Sequence, residues 1–319
     1  MANNINWGKI YESTYWGNTD NNISWGKVYA DLAGVVPALV SEFVSRVEAD
    51  GGSVESTECL STDLTFLVQN PEPSAFDTDY QAVLDRSTAL GYTAPSAAQQ
   101  TLQNTLITDL KTAGVWDKLD VFYVFATDGD SDYATLNWKA PSSHQTTKVN
   151  SPTFTANGGF TGNGSSSYLD TNFDPSVSGV NYTLNDASIS IWNNTFILNN
   201  FITGVDASAY NCLRMSSSSA NIRINMDINS LSPVVDFSDS NKTFRQLNRT
   251  SSSNVTAFQN TTSTTHSGAS TSIEGQNQLI LKASSFYSST EVAFFGMGAS
   301  LVSENADFYS ALDTYKSAL

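Results

Sequence analysis

The spacing of apolar residues changes near residue 134, and that change constrains the fold more than any single motif. Upstream the spacing is helical. Val36, Leu39, Val40, Phe43, Val44 and Val47 make one stripe at i, i+3 and i+4 intervals, with Pro37 in the first turn and Gly51-Gly52 as the stop. Leu60, Leu64, Leu67 and Val68 make a second stripe, ended by Asn70-Pro71. A third helix is expected over residues 78–90 with Gly91 as its cap. A fourth starts at a capping box of Ser96 and Gln99, carries Leu102, Leu106 and Leu110, and closes at Gly114. Residues 121–126 read as a buried strand leading into the second half.

Downstream the period is two. Ile222, Ile224, Met226 and Ile228 alternate with Asn221, Arg223, Asn225 and Asp227, as a half-buried antiparallel strand does. Ala187, Ile189 and Ile191 alternate with Ser188 and Ser190. Further strands are expected over 254–258, 279–283 and 292–297, separated by Ser/Thr/Asn/Gly turns, with a closing helix on Phe308, Leu312, Tyr315 and Leu319. Charge divides at the same place. Residues 1–133 hold 19 Asp and Glu against 6 Lys and Arg, whereas the remainder hold 12 against 9. The expected class is therefore α+β and multidomain: a small, mostly helical amino-terminal module over 31–133, then an antiparallel β-sandwich over 134–319.

A formal net charge of −16 and a sequence pI near 4.3 argue against phosphate-backbone binding, so no nucleic-acid partner is expected. Apolar runs such as 121–126 are far too short to cross a bilayer, and no membrane partner is expected. The opening Met-Ala-Asn-Asn-Ile-Asn has neither a basic nor an apolar region, so folding inside a cell is the expectation. Cys59 and Cys212, assigned to different domains, are read as free thiols.

Residues 1–30 form a separate segment with an internal repeat. Asn4-Ile5-Asn6-Trp7-Gly8-Lys9-Ile10-Tyr11 recurs as Asn22-Ile23-Ser24-Trp25-Gly26-Lys27-Val28-Tyr29, with Trp16-Gly17 between them. Three of the chain's six tryptophans thus sit where no local core can bury them. Trp7, Tyr11, Trp16, Trp25 and Tyr29 are candidates for docking on another protein or on further copies of the chain. The alternative is that the segment folds back on its own domain.

After the strand at 121–126 comes Thr127-Asp128-Gly129-Asp130-Ser131-Asp132-Tyr133. Alternating carboxylates suit calcium, which makes Asp128, Asp130 and Asp132 candidate ligands. The EF-hand pattern fails, because Tyr133 takes its glycine position and Lys139 its glutamate position, and a solvated acidic turn is the competing reading. No other cofactor is expected. Glu274, Glu291 and Glu304 are isolated, His144 and His266 lie in Ser/Thr-rich stretches, and no Gly-x-Ser-x-Gly or His-Glu-x-x-His occurs, so no catalytic residue is assigned. Gly158-Gly159 and Gly162 to Gly164 read as tight turns. Tyr168, Trp192, Phe201 and Tyr210 could form a sugar platform or simply belong to the core.

Thr153-Phe154-Thr155-Ala156-Asn157-Gly158-Gly159-Phe160, then Gly162-Asn163-Gly164 and Tyr168-Leu169-Asp170-Thr171, resembles the opening strands of concanavalin-like (laminin-G-like) jelly rolls. Asn248-Arg249 with Val255-Thr256-Ala257-Phe258-Gln259-Asn260 resembles that family's hairpin, with Thr261 where glycine is usual. The late Glu291-Val292-Ala293-Phe294-Phe295 and the closing helix resemble its final strand and tail. The Glu-x-Asp-x-x-Glu strand of its glucan-cutting members is absent.

A wider resemblance links the chain to tailed-phage virion proteins. It is carried by Asp109-Leu110-Lys111-Thr112-Ala113-Gly114-Val115-Trp116-Asp117-Lys118-Leu119-Asp120, by Asn137-Trp138-Lys139-Ala140-Pro141, by Val47-Glu48-Ala49-Asp50-Gly51-Gly52 with Cys59-Leu60, and by the Trp-Gly-Lys repeat. The resemblance implies a non-enzymatic structural protein on the particle surface: a fibre, baseplate part or head decoration assembled in the host cytoplasm. Its partners would be other virion proteins, held through residues 1–30, and copies of itself, for which a trimer is the expected state. The other functions in view are a host-glycan-binding adhesion module and a polysaccharide-cleaving hydrolase.

Overall fold

The computed structural model describes residues 76–195, 197, 201–206, 213–214, 220–221, 224–226, 234–235 and 243–319, with the pairs 24–25 and 56–57. The helices expected at 36–47 and 60–68, Cys59, Cys212, Trp7, Tyr11, Trp16 and Tyr29 lie outside the described residues. Of Trp25 only the backbone is described: Ser24–Trp25 pairs in parallel with Ser56–Thr57. The chain divides into two compact units, Met1–Ala75 and Phe76–Leu319.

Helix α1 (Thr78–Leu90) begins where Asp77 accepts a hydrogen bond from the Asp79 amide, and it ends at Gly91, whose φ of 73° needs no Cβ. Helix α2 (Ala97–Thr112) is capped by Ser96, which accepts from the Gln99 amide at 3.3 Å. Only that half of the capping box forms. The Gln99 side chain turns inward instead, accepting from the Asp128 amide at 2.5 Å and the Thr127 hydroxyl at 2.9 Å, and donating to Asn157 at 2.7 Å.

Two antiparallel sheets follow. Across the large, eight-stranded sheet the order is β11 (Thr262–Ser267), β10 (Asn254–Gln259), β9 (Thr243–Arg249), β6 (Ala187–Asn193), β15 (Glu291–Gly298), β4 (Gly159–Thr161) and β3 (Thr153–Thr155). The eighth strand, β1 (Leu119–Val124), also pairs with β15. The small sheet runs β8 (Leu213–Arg214), β7 (Phe201–Gly204), β12 (Leu279–Ile280), β5 (Tyr168–Asp170) and β2 (Thr147–Val149). Ile189, Ile191, Leu247, Phe295 and Met297 of the large sheet bury themselves with Leu169, Ile202 and Ile280 of the small one. Burying each such side chain contributes about 2 kcal/mol.

The domain boundary expected at residue 134 falls inside the Phe76–Leu319 unit. The cause is β15, whose one edge is shared by two partners. Glu291 and Val292 pair with Thr161 and Phe160, and Phe294 to Gly298 pair with β1. The strand read as a passage between domains is thus part of the sandwich itself.

A third layer covers the outer face of the large sheet. Helix α4 (Asn305–Ser317), α1 and α2 place Phe308, Leu312, Tyr315, Tyr80, Val83, Leu106 and Leu110 with Phe122, Val124, Trp192, Phe244 and Phe294. This layer explains why Ser188 and Ser190 are buried although their alternation suggests a solvated face. Gln246 donates to the Ser190 hydroxyl at 3.0 Å and accepts from Asn248 and Asn305, which keeps Ser190 hydrogen-bonded beneath the helix, whereas the buried Ser188 hydroxyl has no side-chain hydrogen-bond partner among the described residues.

The strand expected over 221–228 is not continuous. Ala220–Asn221 pairs with Val234–Val235, whereas Ile224, Asn225 and Met226 form a buried bend. Asn225 drives the departure: at φ 55° its amide donates to the Thr183 and Leu184 carbonyls, and its oxygen accepts from the Tyr182 hydroxyl at 2.8 Å. The expected turn at Gly158-Gly159 joins β3 to β4, and a Cβ on Gly159 would stand 2.0 Å from the Val292 carbonyl oxygen.

Candidate functional site

The small sheet opens a cleft of about 540 Å³, lined by Tyr168, Asp170, Asp174, Asp206, Gln276, Asn277 and neighbouring backbone. Alternation along β5 buries Leu169 fully in the core and leaves Tyr168 and Asp170 half-buried, with Tyr168 packed against the edge of that core. Asp170 lies opposite Leu279 in the sheet, and one of its carboxylate oxygens accepts from the Asn172 amide at 2.8 Å. Asp174 caps the short helix α3 (Pro175–Ser178), accepting from the Ser176 amide at 2.9 Å and its hydroxyl at 2.7 Å.

Behind Asp206 and Tyr168 of this lining sits a charge pair held between rings. Strand β13 (Lys282–Ala283) pairs with β14 (Phe286–Tyr287), which sets Lys282 across from Tyr287. The Lys282 ammonium lies 4.7 Å from the Tyr168 ring centre, 5.4 Å from that of Tyr287, and 2.5 Å from the Asp206 carboxylate. Burial alone would lower the lysine pKa, but the hydrogen bond and charge of Asp206 outweigh it and raise the value. The lysine side chain is 7% exposed and its aspartate partner 65%, so the cation sits behind the lining, committed to Asp206, and is not a free group within the cleft.

The resulting surface combines one partly buried aromatic ring, three carboxylates and two side-chain amides. It has the size of a small-ligand pocket, about 300–1,000 Å³, but a far more polar lining. Such a lining suits a ligand rich in hydroxyls with one flat apolar face. A ring can pack on the part of Tyr168 that Lys282 leaves uncovered while carboxylate and amide oxygens accept from its rim.

Of the aromatic residues read as sugar platform or core, Tyr168 alone among the described ones lines this cleft. Trp192 is buried under α4, stacked on Tyr309 at 5.9 Å, and Phe201 is 7% exposed against Phe286. Tyr210 lies outside the described residues. Asp174, Asp206, Lys282, Gln276 and Asn277 carried no motif, and Asp170 entered only within the jelly-roll resemblance. Only the Tyr168-Leu169-Asp170 alternation and the Asp174-Pro175 helix start could have pointed to the place.

The three carboxylates of the aspartate loop, the candidate calcium ligands, are each engaged within the chain. Asp128 accepts from the Ser96 amide at 3.0 Å, and Asp132 pairs with Lys148 at 2.6 Å. Asp130 accepts from the Thr93, Asp132 and Tyr133 amides at 2.6, 3.0 and 2.7 Å. Among the described residues no group of three or more His, Cys, Asp or Glu side chains is placed to hold a metal. The loop is a structural junction between the start of α2 and the sandwich.

The histidines and glutamates stand apart from the cleft lining. His144 contacts the Asn172 carbonyl oxygen at 2.7 Å, and burial lowers the pKa of His266 on strand β11. Glu291 accepts from Asn194 at 2.9 Å, and Glu304 pairs with Lys118 at 2.7 Å. Glu274 is part-buried in the stretch before the cleft loop.

No protein-family model matches the sequence, and comparison with curated proteins gives no match. Among solved structures, the chain is similar to the receptor-binding domain of a botulinum neurotoxin C/D mosaic serotype, with TM-score 0.44 and 10% identity over 61% of this chain and 51% of that one. It is similar to Trypanosoma rangeli sialidase in complex with sialic acid, with TM-score 0.42 and 9% identity over 67% and 39% of the two chains. A structure described under the ganglioside-dependent cell entry of botulinum neurotoxin type C gives TM-score 0.43 and 10% identity over 63% and 53%. This chain therefore spans about half of each toxin domain and less of the sialidase. The class that its own sheets and helices define is a helical module followed by an antiparallel β-sandwich, as expected.

Proposed function

We propose that this chain is a non-enzymatic surface protein whose β-sandwich binds glycans through the cleft at Tyr168. The observation that carries this reading is the joint presence in one open cleft of the Tyr168 ring, three carboxylates and two amides. A sugar presents one C–H face and a rim of hydroxyls, and this lining answers both. Binding without cleavage is favoured because Asp170 and Asp174 are held by loop donors and Asp206 by Lys282. None stands in the apolar pocket that a general acid requires. Adsorption of the full chain to host cells tests this, with soluble host polysaccharide as competitor. Competable adsorption supports the reading, and no adsorption at micromolar concentration opposes it.

We further propose a tailed-phage virion as the setting, with the chain as fibre, baseplate part or head decoration, assembled in the host cytoplasm and anchored by residues 1–30. The support is the resemblance carried by residues 109–120 and 137–141 and by the Trp7 and Trp25 repeats. Removing residues 2–30 should leave a folded protein that no longer joins particles. Incorporation at normal copy number would refute the anchoring role.

A further inference from the structure

We propose that the cleft selects its ligand by charge, accepting neutral or amine-bearing glycans and rejecting those with carboxylate, sulfate or phosphate groups. The inference rests on the glycan-binding reading and names the substrate class of the same site.

The argument begins with the lysine. Among the described residues the cation nearest this lining is Lys282, which contacts Asp206 and Tyr168 of it; it is already committed to Asp206 at 2.5 Å and enclosed by the rings of Tyr168 and Tyr287. Asp170 and Asp174 have no ion-pair partner among the described residues. Each is preset for a ligand that donates. One oxygen of each is fixed by a backbone amide two residues on, and the other has no hydrogen-bond partner among the described residues. An ionised carboxylate only accepts hydrogen bonds, so the cleft calls for hydroxyl, amide N–H or ammonium groups. An acidic substituent brings more acceptors and the same charge. Among the described residues no guanidinium lines the cleft to clamp it in two-pronged fashion.

Range matters here. At physiological salt, exposed charges are screened beyond about 8 Å, so the cleft's own carboxylates decide selectivity and the chain's net −16 acts only at lower salt. There it slows the approach of polyanions, in the same direction.

The test is a printed glycan array probed with the full chain, with glycans arranged as matched pairs that differ only in an acidic substituent, such as lactose and 3′-sialyllactose. The expected result is that the neutral or amine-bearing member gives at least a tenfold stronger signal wherever either member binds. A second arm uses the double variant Asp170→Asn with Asp174→Asn, which keeps the side-chain oxygens that accept from Asn172 and Ser176. Its preference for the neutral member should fall at least fivefold. Stronger binding of acidic members by the unaltered chain overturns charge selection while leaving glycan binding standing. Undiminished preference in a folded double variant overturns the assignment to these two residues. Silence on every glycan overturns the glycan-binding reading and this inference together.

Discussion

The Gln103 amide donates to the Tyr315 hydroxyl at 3.0 Å, joining α2 to the closing helix across 212 residues of sequence. The same glutamine accepts from the Tyr80 and Tyr133 hydroxyls, both at 2.8 Å, and Tyr315 donates onward to the Ala126 carbonyl at 2.8 Å. Burial raises the pKa of all three tyrosines, so they remain donors. The helices and the sandwich are thereby locked into one body through a polar centre inside an apolar layer.

Replacing Gln103 by Leu strands two buried hydroxyls that now donate to it. A loss of about 3 kcal/mol is expected, since each unsatisfied buried group costs about 1–3 kcal/mol. Denaturant unfolding followed by tryptophan fluorescence and by far-ultraviolet dichroism should show coincident transitions for the Phe76–Leu319 unit. Separate transitions for helices and sandwich would contradict the single-unit account.

Gly159 carries a φ of 120° and lies against the Val292 carbonyl, 2.0 Å from where a Cβ would be. Gly159→Ala therefore moves the β3–β4 turn off the edge of β15. A destabilisation of about 3 kcal/mol or more is expected, against about 1 kcal/mol for Gly91→Ala, whose Cβ would meet nothing within 4 Å and whose φ of 73° is strained but open. Thermal melts of the two variants provide the comparison.

Asp130 gives a pH dependence with a definite sign. Burial alone would raise its pKa, but hydrogen bonds from Thr93, Tyr133 and Asp132 outweigh it and hold the value below the ordinary 3.8. The folded state therefore binds the proton less readily than the unfolded one. The resulting stability is fully present above the unfolded pKa and is lost as pH falls through the folded value. Asp130→Asn should be less stable than the unaltered chain by about 2 kcal/mol at pH 7, with the gap narrowing below pH 4. Melting temperatures between pH 2.5 and pH 7 read this directly, and a gap that does not change with pH would remove the carboxylate from the account.

Much of the architecture was legible in the residues. Gly91 and Ser96 fixed helix boundaries because caps are local chemistry, and the alternation through Ile189 and Ile191 identified a strand whichever layer covered it. What escaped was non-local. Gln99 made a sound capping box on paper, yet Asp128 and Asn157 compete for its side chain from loops distant in sequence. The 221–228 alternation gave way to the hydrogen bonds of Asn225, and the boundary at 134 vanished because β1 pairs 170 or more residues downstream. The cleft was the least legible part. Lys282 and Asp206 are 76 residues apart, and each alone looks like an ordinary surface charge.

The central claim is that the cleft at Tyr168 binds glycans, and array binding by the full chain and by Tyr168→Ala tests it most directly. The account predicts that the full chain is retained on a defined set of neutral glycans and that the variant, still folded by its melting transition, loses at least tenfold in signal. Equal retention of both proteins would move binding away from this cleft, and no retention of the full chain would contradict the function proposed for it.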